Sequence, residues 1–168
     1  REGVERAIRY AFHLAETRER PAGREAQVTL IDKANAVRAH DLWQRVFAEV
    51  AKEHPGIKTD HAYIDAACMW MVKNPEWFDV AVTPNLFGDI ITDLGAMIKG
   101  GMGMAASGNI HPGRVSLFEP IHGSAPKHAG KNVASPLAAI MAAGMMLDYL
   151  GEKTAATAID RSIADLFA

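Results

Sequence analysis

Asp89 and Asp93 stand four residues apart in Pro84-Asn85-Leu86-Phe87-Gly88-Asp89-Ile90-Ile91-Thr92-Asp93, directly after the apolar stretch Asp79 to Thr83. On a helix, residues i and i+4 share a face, so both carboxylates point the same way. Adjacent like charges raise each other's pKa unless a cation lies between them. Hard divalent cations take such oxygen ligands, and Mg²⁺ commonly uses one or two carboxylates with substrate oxygens completing its shell. A solvated helix face with two ordinary acids is the competing explanation for this pair taken alone.

Three other groupings have chemical potential. Asp32-Lys33-Ala34-Asn35 comes directly after the strand-like run Gln27-Val28-Thr29-Leu30-Ile31, and strand ends are where open α/β sheets hold ligands. A lysine there acts as a general base if neighbours lower its pKa, and is otherwise a salt-bridged surface residue. Tyr63-Ile64-Asp65-Ala66 sets one acid in an otherwise apolar helix. Because Asp is seldom buried unpaired, Asp65 faces an ion, faces water or caps its helix. Glu119-Pro120-Ile121-His122-Gly123-Ser124-Ala125-Pro126 offers small residues whose backbone N–H groups suit an anion such as a pyrophosphate. It matches neither the dinucleotide nor the P-loop fingerprint. His122 and Ser124 lack the strand–elbow–helix setting of a hydrolase nucleophile, and a satisfied histidine bracing the turn is an equal alternative for His122.

The elements that must position these residues are set by periodicity. Val4, Ile8, Ala11, Phe12 and Ala15 recur at helical spacing over residues 2 to about 19, ending at Pro21-Ala22-Gly23. Further helices are expected over Asp41 to His54, Tyr63 to Val72, Leu86 to Ile98, Pro136 to Leu150 and Glu152 to Phe167. Strands are expected at 27–31, 57–62, 79–83 and 115–119. Alternating strands and helices give an α/β fold class.

The 168 residues suffice for one domain or two small ones, with 49% hydrophobic and 23% charged residues. A formal charge of −2 gives no electrostatic reason to expect nucleic acid as a partner. The lone Cys68 precludes an internal disulfide, fits a reducing cytoplasm and reads as a buried structural thiol. No stretch has the length and apolarity of a membrane span, and no segment reads as a signal peptide. The chain opens without Met and inside a helical pattern, which reads as a segment of a larger protein.

Taken together, the four blocks beginning at Asp32, Tyr63, Asn85 and Phe118 resemble, in order, the isopropylmalate and isocitrate dehydrogenase family of β-hydroxyacid oxidative decarboxylases. The resemblance covers nearly the whole chain. It implies a two-lobed α/β fold, here its central to C-terminal part, with residues 1–90 supplying most of a substrate and dimerisation lobe and 91–168 part of a cofactor-binding lobe. It also implies a cytoplasmic enzyme acting on a small 2-hydroxy acid, with Mg²⁺ or Mn²⁺ and a nicotinamide cofactor. By similarity Asp65, Asp89 and Asp93 ligate the metal, Lys33 is the base that takes the hydroxyl proton, and Asn35 lies beside the nicotinamide ribose. Glu119, His122, Gly123, Ser124, Ala125, Pro126, Lys127 and Ser135 are implied on the cofactor side, with His122 against the adenine. The family's site is shared across a homodimer, so Lys33 and Asp65 are expected to serve the partner's substrate. Met69, Trp70 and Met71 are then interface candidates, with plain core as the alternative.

The wording of Asp32-Lys33-Ala34-Asn35 and Glu119-Pro120 is most similar to the isopropylmalate members, implying oxidative decarboxylation of 3-isopropylmalate in leucine biosynthesis. Isocitrate, homoisocitrate or tartrate oxidation is the alternative within the family. The family's tyrosine and substrate-gripping arginines have no counterpart in this chain, which leaves open a non-catalytic dimerisation and cofactor-binding segment. A metal-dependent lyase is a poorer choice, because it gives the His122–Pro126 loop no task. Lys127 occupies the position where NAD-dependent members usually carry Asp, and a cation there suits a 2′-phosphate. NAD is favoured on the other blocks, with NADP possible because of Lys127. Ser135 replaces an Asn usual near the adenine.

Overall fold

Gln27–Asp32 alternates Val and Leu toward one side with Thr and Ile toward the other, and it forms β1, the central strand of a three-stranded parallel sheet. A parallel strand flanked on both sides must be covered on both faces, and five of its six residues are buried. The computed structural model describes all 168 residues, Arg1–Ala168, in two units, Arg1–Leu94 and Gly95–Ala168.

In the first unit, α1 (Glu2–Thr17) leads to β1, α2 (Asp41–Ala51), β2 (Lys58–Tyr63), α3 (Ile64–Lys73), β3 (Val80–Val82) and the start of α4 (Asn85–Ile98). The strand order is β2-β1-β3, with Leu30 opposite both His61 and Val82. Glu2 and Glu5 sit in the first turn of α1, where acids complement the helix dipole. Its buried stripe, Ile8, Ala11, Phe12 and Ala15, packs with Val46, Phe47 and Val50 of α2 over Val28 and Leu30. Phe12 and Ile8 are fully buried, and each such side chain stabilises the fold by roughly 1.5–3 kcal/mol. On the opposite face Ile31 joins Ala67 of α3 and Ile91 of α4, with Cys68 half-buried at the edge.

The second unit pairs β4 (Ala106–Asn109) with β5 (Leu117–Pro120) antiparallel and packs α5 (Leu137–Tyr149) against both and against α6 (Lys153–Leu166). Strand β4 is not anticipated by the sequence, since Ala-Ser-Gly-Asn has poor β propensity. Its pairing is a tertiary effect: a side chain at Gly108 would meet the Phe118 ring at 3.2 Å and the Met145 sulfur at 3.3 Å. Smaller differences concern ends. The second helix stops at Ala51 rather than His54 because Lys52–Gly56 turns back toward β2. Val115 lies outside β5 and is solvent-exposed. No helix is long and apolar enough to cross a membrane.

The start of β3 is anchored electrostatically. The Asp79 side chain, 3% exposed, accepts from Arg20 Nε at 2.8 Å and from the Gln27 N–H at 3.2 Å, with Arg18 at 3.3 Å. Burial pushes its pKa up, but the Arg20 and Gln27 bonds and the two guanidinium charges together hold it below the ordinary carboxylate value. A depressed carboxylate pKa contributes stability that is present above the unfolded-state pKa and lost as pH falls through the folded one. Asp79→Asn should therefore destabilise the protein by on the order of 3 kcal/mol at pH 7, as for other broken buried pairs. In urea denaturation the gap between wild type and variant should close as pH drops below about 4. A gap unchanged at pH 3 would show that the charge contributes nothing.

Candidate active site

Three strand ends meet at the C-terminal edge of the parallel sheet, and β1 is where the strand order reverses, the position at which open α/β sheets bind ligands. Lys33 comes just after β1, Asp65 lies in the first turn of α3 after β2, and Asp89 and Asp93 lie on α4 after β3. A separate cleft of about 600 Å³ opens at the other end, lined by residues that begin the strands, including Gln27, Lys58 and Asp79.

The turn after β1 is held by side chains. The Lys33 N–H donates to His40 Nδ1 at 3.1 Å, and the Ala34 N–H donates to Asp32 Oδ1 at 3.0 Å. The N–H groups of Ala36 and Val37 then close on the Lys33 carbonyl at 3.0 and 2.7 Å. From this turn Lys33 Nζ reaches Asp65 Oδ1 at 2.7 Å and lies 5.9 Å from the Tyr63 ring centroid. The Lys33 side chain is 23% exposed and that of Asp65 is 69% exposed. The bond from Lys33, then the backbone N–H groups of Asp65 and Ala66, hold the Asp65 carboxyl below the ordinary carboxylate value. Asp65 thus faces water and a lysine. Asn35 is exposed in the same turn.

Asp89 and Asp93 are both exposed on α4, and neither carboxylate has a hydrogen-bond or ion-pair partner. Their helix begins against the Lys33 turn, where the Phe87 ring meets His40 edge-on at 5.4 Å. No group of three or more His, Cys, Asp or Glu side chains converges within one chain. Asp65 is therefore brought to Lys33 and not to the paired aspartates. Of the apolar trio on α3, Met69 is exposed, Met71 packs with the Ile31 cluster, and Trp70 lies 5.0 Å from the Trp77 ring.

In the second unit, Glu119 is exposed on β5 and His122 half-buried just beyond it, its Nδ1–H donating to the Gly123 carbonyl at 2.9 Å. Gly123 to Pro136 is exposed throughout. Ala125 takes the left-handed conformation, φ 42°, immediately before a single 3-10 turn at Pro126–His128 that presents Lys127. Ser135 Oγ accepts the Leu137 N–H at 3.3 Å and so starts α5. Gly103 comes close behind it, where an added side chain would meet Ser135 Cβ at 3.1 Å.

Sequence reasoning missed Asp32, His40, Gln44 and His61, which surround the Lys33 turn. The available signal was an acid closing an otherwise apolar strand.

Comparison with known proteins agrees along the whole chain. The family model described as isocitrate/isopropylmalate dehydrogenase matches residues 1–168. The 3-isopropylmalate dehydrogenase of Thermobifida fusca (strain YX) is 51% identical over 166 residues, covering 97% of this chain and 46% of the relative. That of Clavibacter sepedonicus is 48% identical over 166 residues, covering 97% and 45%. The crystal structure of isocitrate dehydrogenase from Methylococcus capsulatus superposes with a TM-score of 0.89 at 46% identity, covering 98% of this chain and 47% of that one. The chain spans about half the length of the curated relatives it matches. Its α/β fold is that of these enzymes, and the chain belongs to the isocitrate/isopropylmalate dehydrogenase family.

Proposed function

We propose that the protein containing this chain oxidatively decarboxylates 3-isopropylmalate, a step of leucine biosynthesis, in the cytoplasm, using a divalent metal and a nicotinamide cofactor. The observation that carries this reading is the 2.7 Å contact of Lys33 with Asp65 at the C-terminal edge of the sheet, in a chain whose curated relatives bear that enzyme's name. Lys33 exchanges a proton with the substrate hydroxyl. The Asp65 carboxylate holds Nζ in place at the edge where the substrate hydroxyl would arrive.

The donor set suits Mg²⁺ or Mn²⁺. Asp89 and Asp93 are hard oxygen ligands, one helical turn apart and without protein partners. Asp65 completes the set from a second copy, which accounts for the lack of a three-ligand cluster in one chain. When bound, the cation would polarise the substrate oxygens while the nicotinamide takes the C2 hydride. The homodimer is further supported by Met69 and Val72 on α3 and Leu86 and Ile90 on α4, large apolar side chains more than half exposed in a single chain. Asn35 would flank the nicotinamide ribose. The exposed loop from His122 through Ser135, with Glu119 beside it, would wrap the adenosine half.

Isocitrate is the second reading, favoured by the Methylococcus capsulatus structure. Reduced-cofactor absorbance on the full-length protein with Mn²⁺, crossing 3-isopropylmalate and isocitrate with NAD and NADP, decides between them. The isopropylmalate–NAD pair is the expected winner. Silence in all four combinations from a dimer that does not bind Mn²⁺ would overturn the catalytic assignment.

Two substitutions probe the parts. Asp89→Asn should weaken Mn²⁺ binding about tenfold or more in a direct titration of the dimer, and unchanged affinity would remove Asp89 from the ligand set. Lys127→Asp should move the NAD-to-NADP ratio of kcat/KM toward NAD, because a carboxylate accepts from ribose hydroxyls and repels a 2′-phosphate. A ratio that does not move would separate Lys127 from the ribose.

A further inference from the structure

Asp32 is the one acid in the chain with no exposure at all, and its Oδ2 has no hydrogen-bond partner. A carboxyl group in such a place is costly unless its surroundings use it. Its other oxygen is crowded with donors. Oδ1 accepts the Ala34 N–H at 3.0 Å, lies 3.2 Å from His61 Nε2, and has the Gln44 amide nitrogen at 3.5 Å.

These contacts join two chain segments that each carry a candidate catalytic group. Asp32 ends β1 one residue before Lys33, and His61 lies on β2 four residues before Asp65. The backbone register already sets Asp32 opposite Tyr63. The side-chain link adds a second tie across the same two strand ends. The His61 ring meets Tyr63 edge-on at 4.9 Å, and Lys33 Nζ lies 5.9 Å from the Tyr63 centroid. Asp32, His61 and Tyr63 therefore form a continuous polar and aromatic bracket around the lysine.

We propose that Asp32, clamped by His61, is a positioning residue that holds the turn bearing Lys33 so that its ammonium meets Asp65. This rests on the reading of Lys33 as the proton-exchanging group. Asp32 touches neither substrate nor cofactor in this role and acts only through Lys33. Neutralising it leaves binding intact and slows the chemical step.

The test uses the full-length protein with Mn²⁺, 3-isopropylmalate or isocitrate, and NAD or NADP. Asp32→Asn keeps the shape of the side chain. It should lower kcat by about 10- to 100-fold, with KM for the hydroxy acid within about twofold of wild type. Substrate deuterated at C2 should report the same slowing of chemistry as a kinetic isotope effect on kcat no smaller than that of wild type. The decisive comparison is a double-mutant cycle. In a Lys33→Ala background, adding Asp32→Asn should cost no more than about twofold further, whereas a purely structural role would cost as much there as in the wild type. Should Asp32→Asn fail to fold, His61→Gln carries the same cycle, since the His61 side chain is 36% exposed and tolerates exchange. Wild-type kcat in the folded Asp32 and His61 variants, or full additivity with Lys33→Ala, would overturn the proposal. A Lys33→Ala protein with undiminished rate, or a wild type with no oxidative activity, strikes instead at the proposed function and removes this inference with it.

Discussion

The parallel pairing of β1 with both of its neighbours decides where chemistry can occur in the first unit. Parallel strands point the same way, so the chain leaves β1, β2 and β3 at one edge, and the residues next in sequence after each strand are delivered to that edge. Lys33 arrives there from β1, Tyr63 with Asp65 from β2, and α4 with Asp89 and Asp93 from β3. These three segments lie far apart in sequence. Their gathering depends on a register maintained by burial of Val28 and Leu30 on one face and Ile31 on the other. A slip of one residue would exchange those faces and turn Lys33 away.

Electrostatics then divides the acids into different roles. The Asp79 side chain is buried between two arginines and anchors the start of β3, at the opposite end of the sheet from Lys33. Asp65 is mostly exposed and held to one lysine, an arrangement of modest strength that a competing cation can rearrange. Asp89 and Asp93 have no cationic neighbour, although they repel each other one helical turn apart. Folding alone gains nothing from such a pair on a helix face, which is the physical case for a ligand there.

Much of this was legible from residue types and spacing. The five apolar positions at helical spacing in α1, the strand at 27–31 and the stop at Pro84 before α4 predict elements that the structure contains. Lys33 and Asp65 were legible as separate candidates. Their 2.7 Å contact was not, because it depends on β1 and β2 being neighbours and in register. The link of Asp32 to His61 was hidden for the same reason. A histidine in a strand has no local signature of the carboxyl it will meet 29 positions upstream. Strand β4 escaped because Gly108 serves its close approach to Phe118 and Met145 rather than extended conformation.

The two units also differ in how far each site is organised before any ligand arrives. Around Lys33, the backbone N–H groups of residues 33, 34, 36 and 37 all have partners within the fold, so the turn is rigid and the lysine is aimed. From Gly123 to Ser135 the chain is exposed, and its internal backbone bonds are those of isolated turns: His128 N–H to the Ala125 carbonyl at 2.9 Å, Ala129 N–H to the Pro126 carbonyl at 3.1 Å and Lys131 N–H to the His128 carbonyl at 3.2 Å. A preset lysine suits proton exchange, which tolerates little error in distance. A loop of small residues with unspent N–H donors suits a large anionic cofactor, whose binding energy can be used to order it. In that loop Gly123, Ser124 and Ala125 leave space, and Lys127 contributes a positive charge.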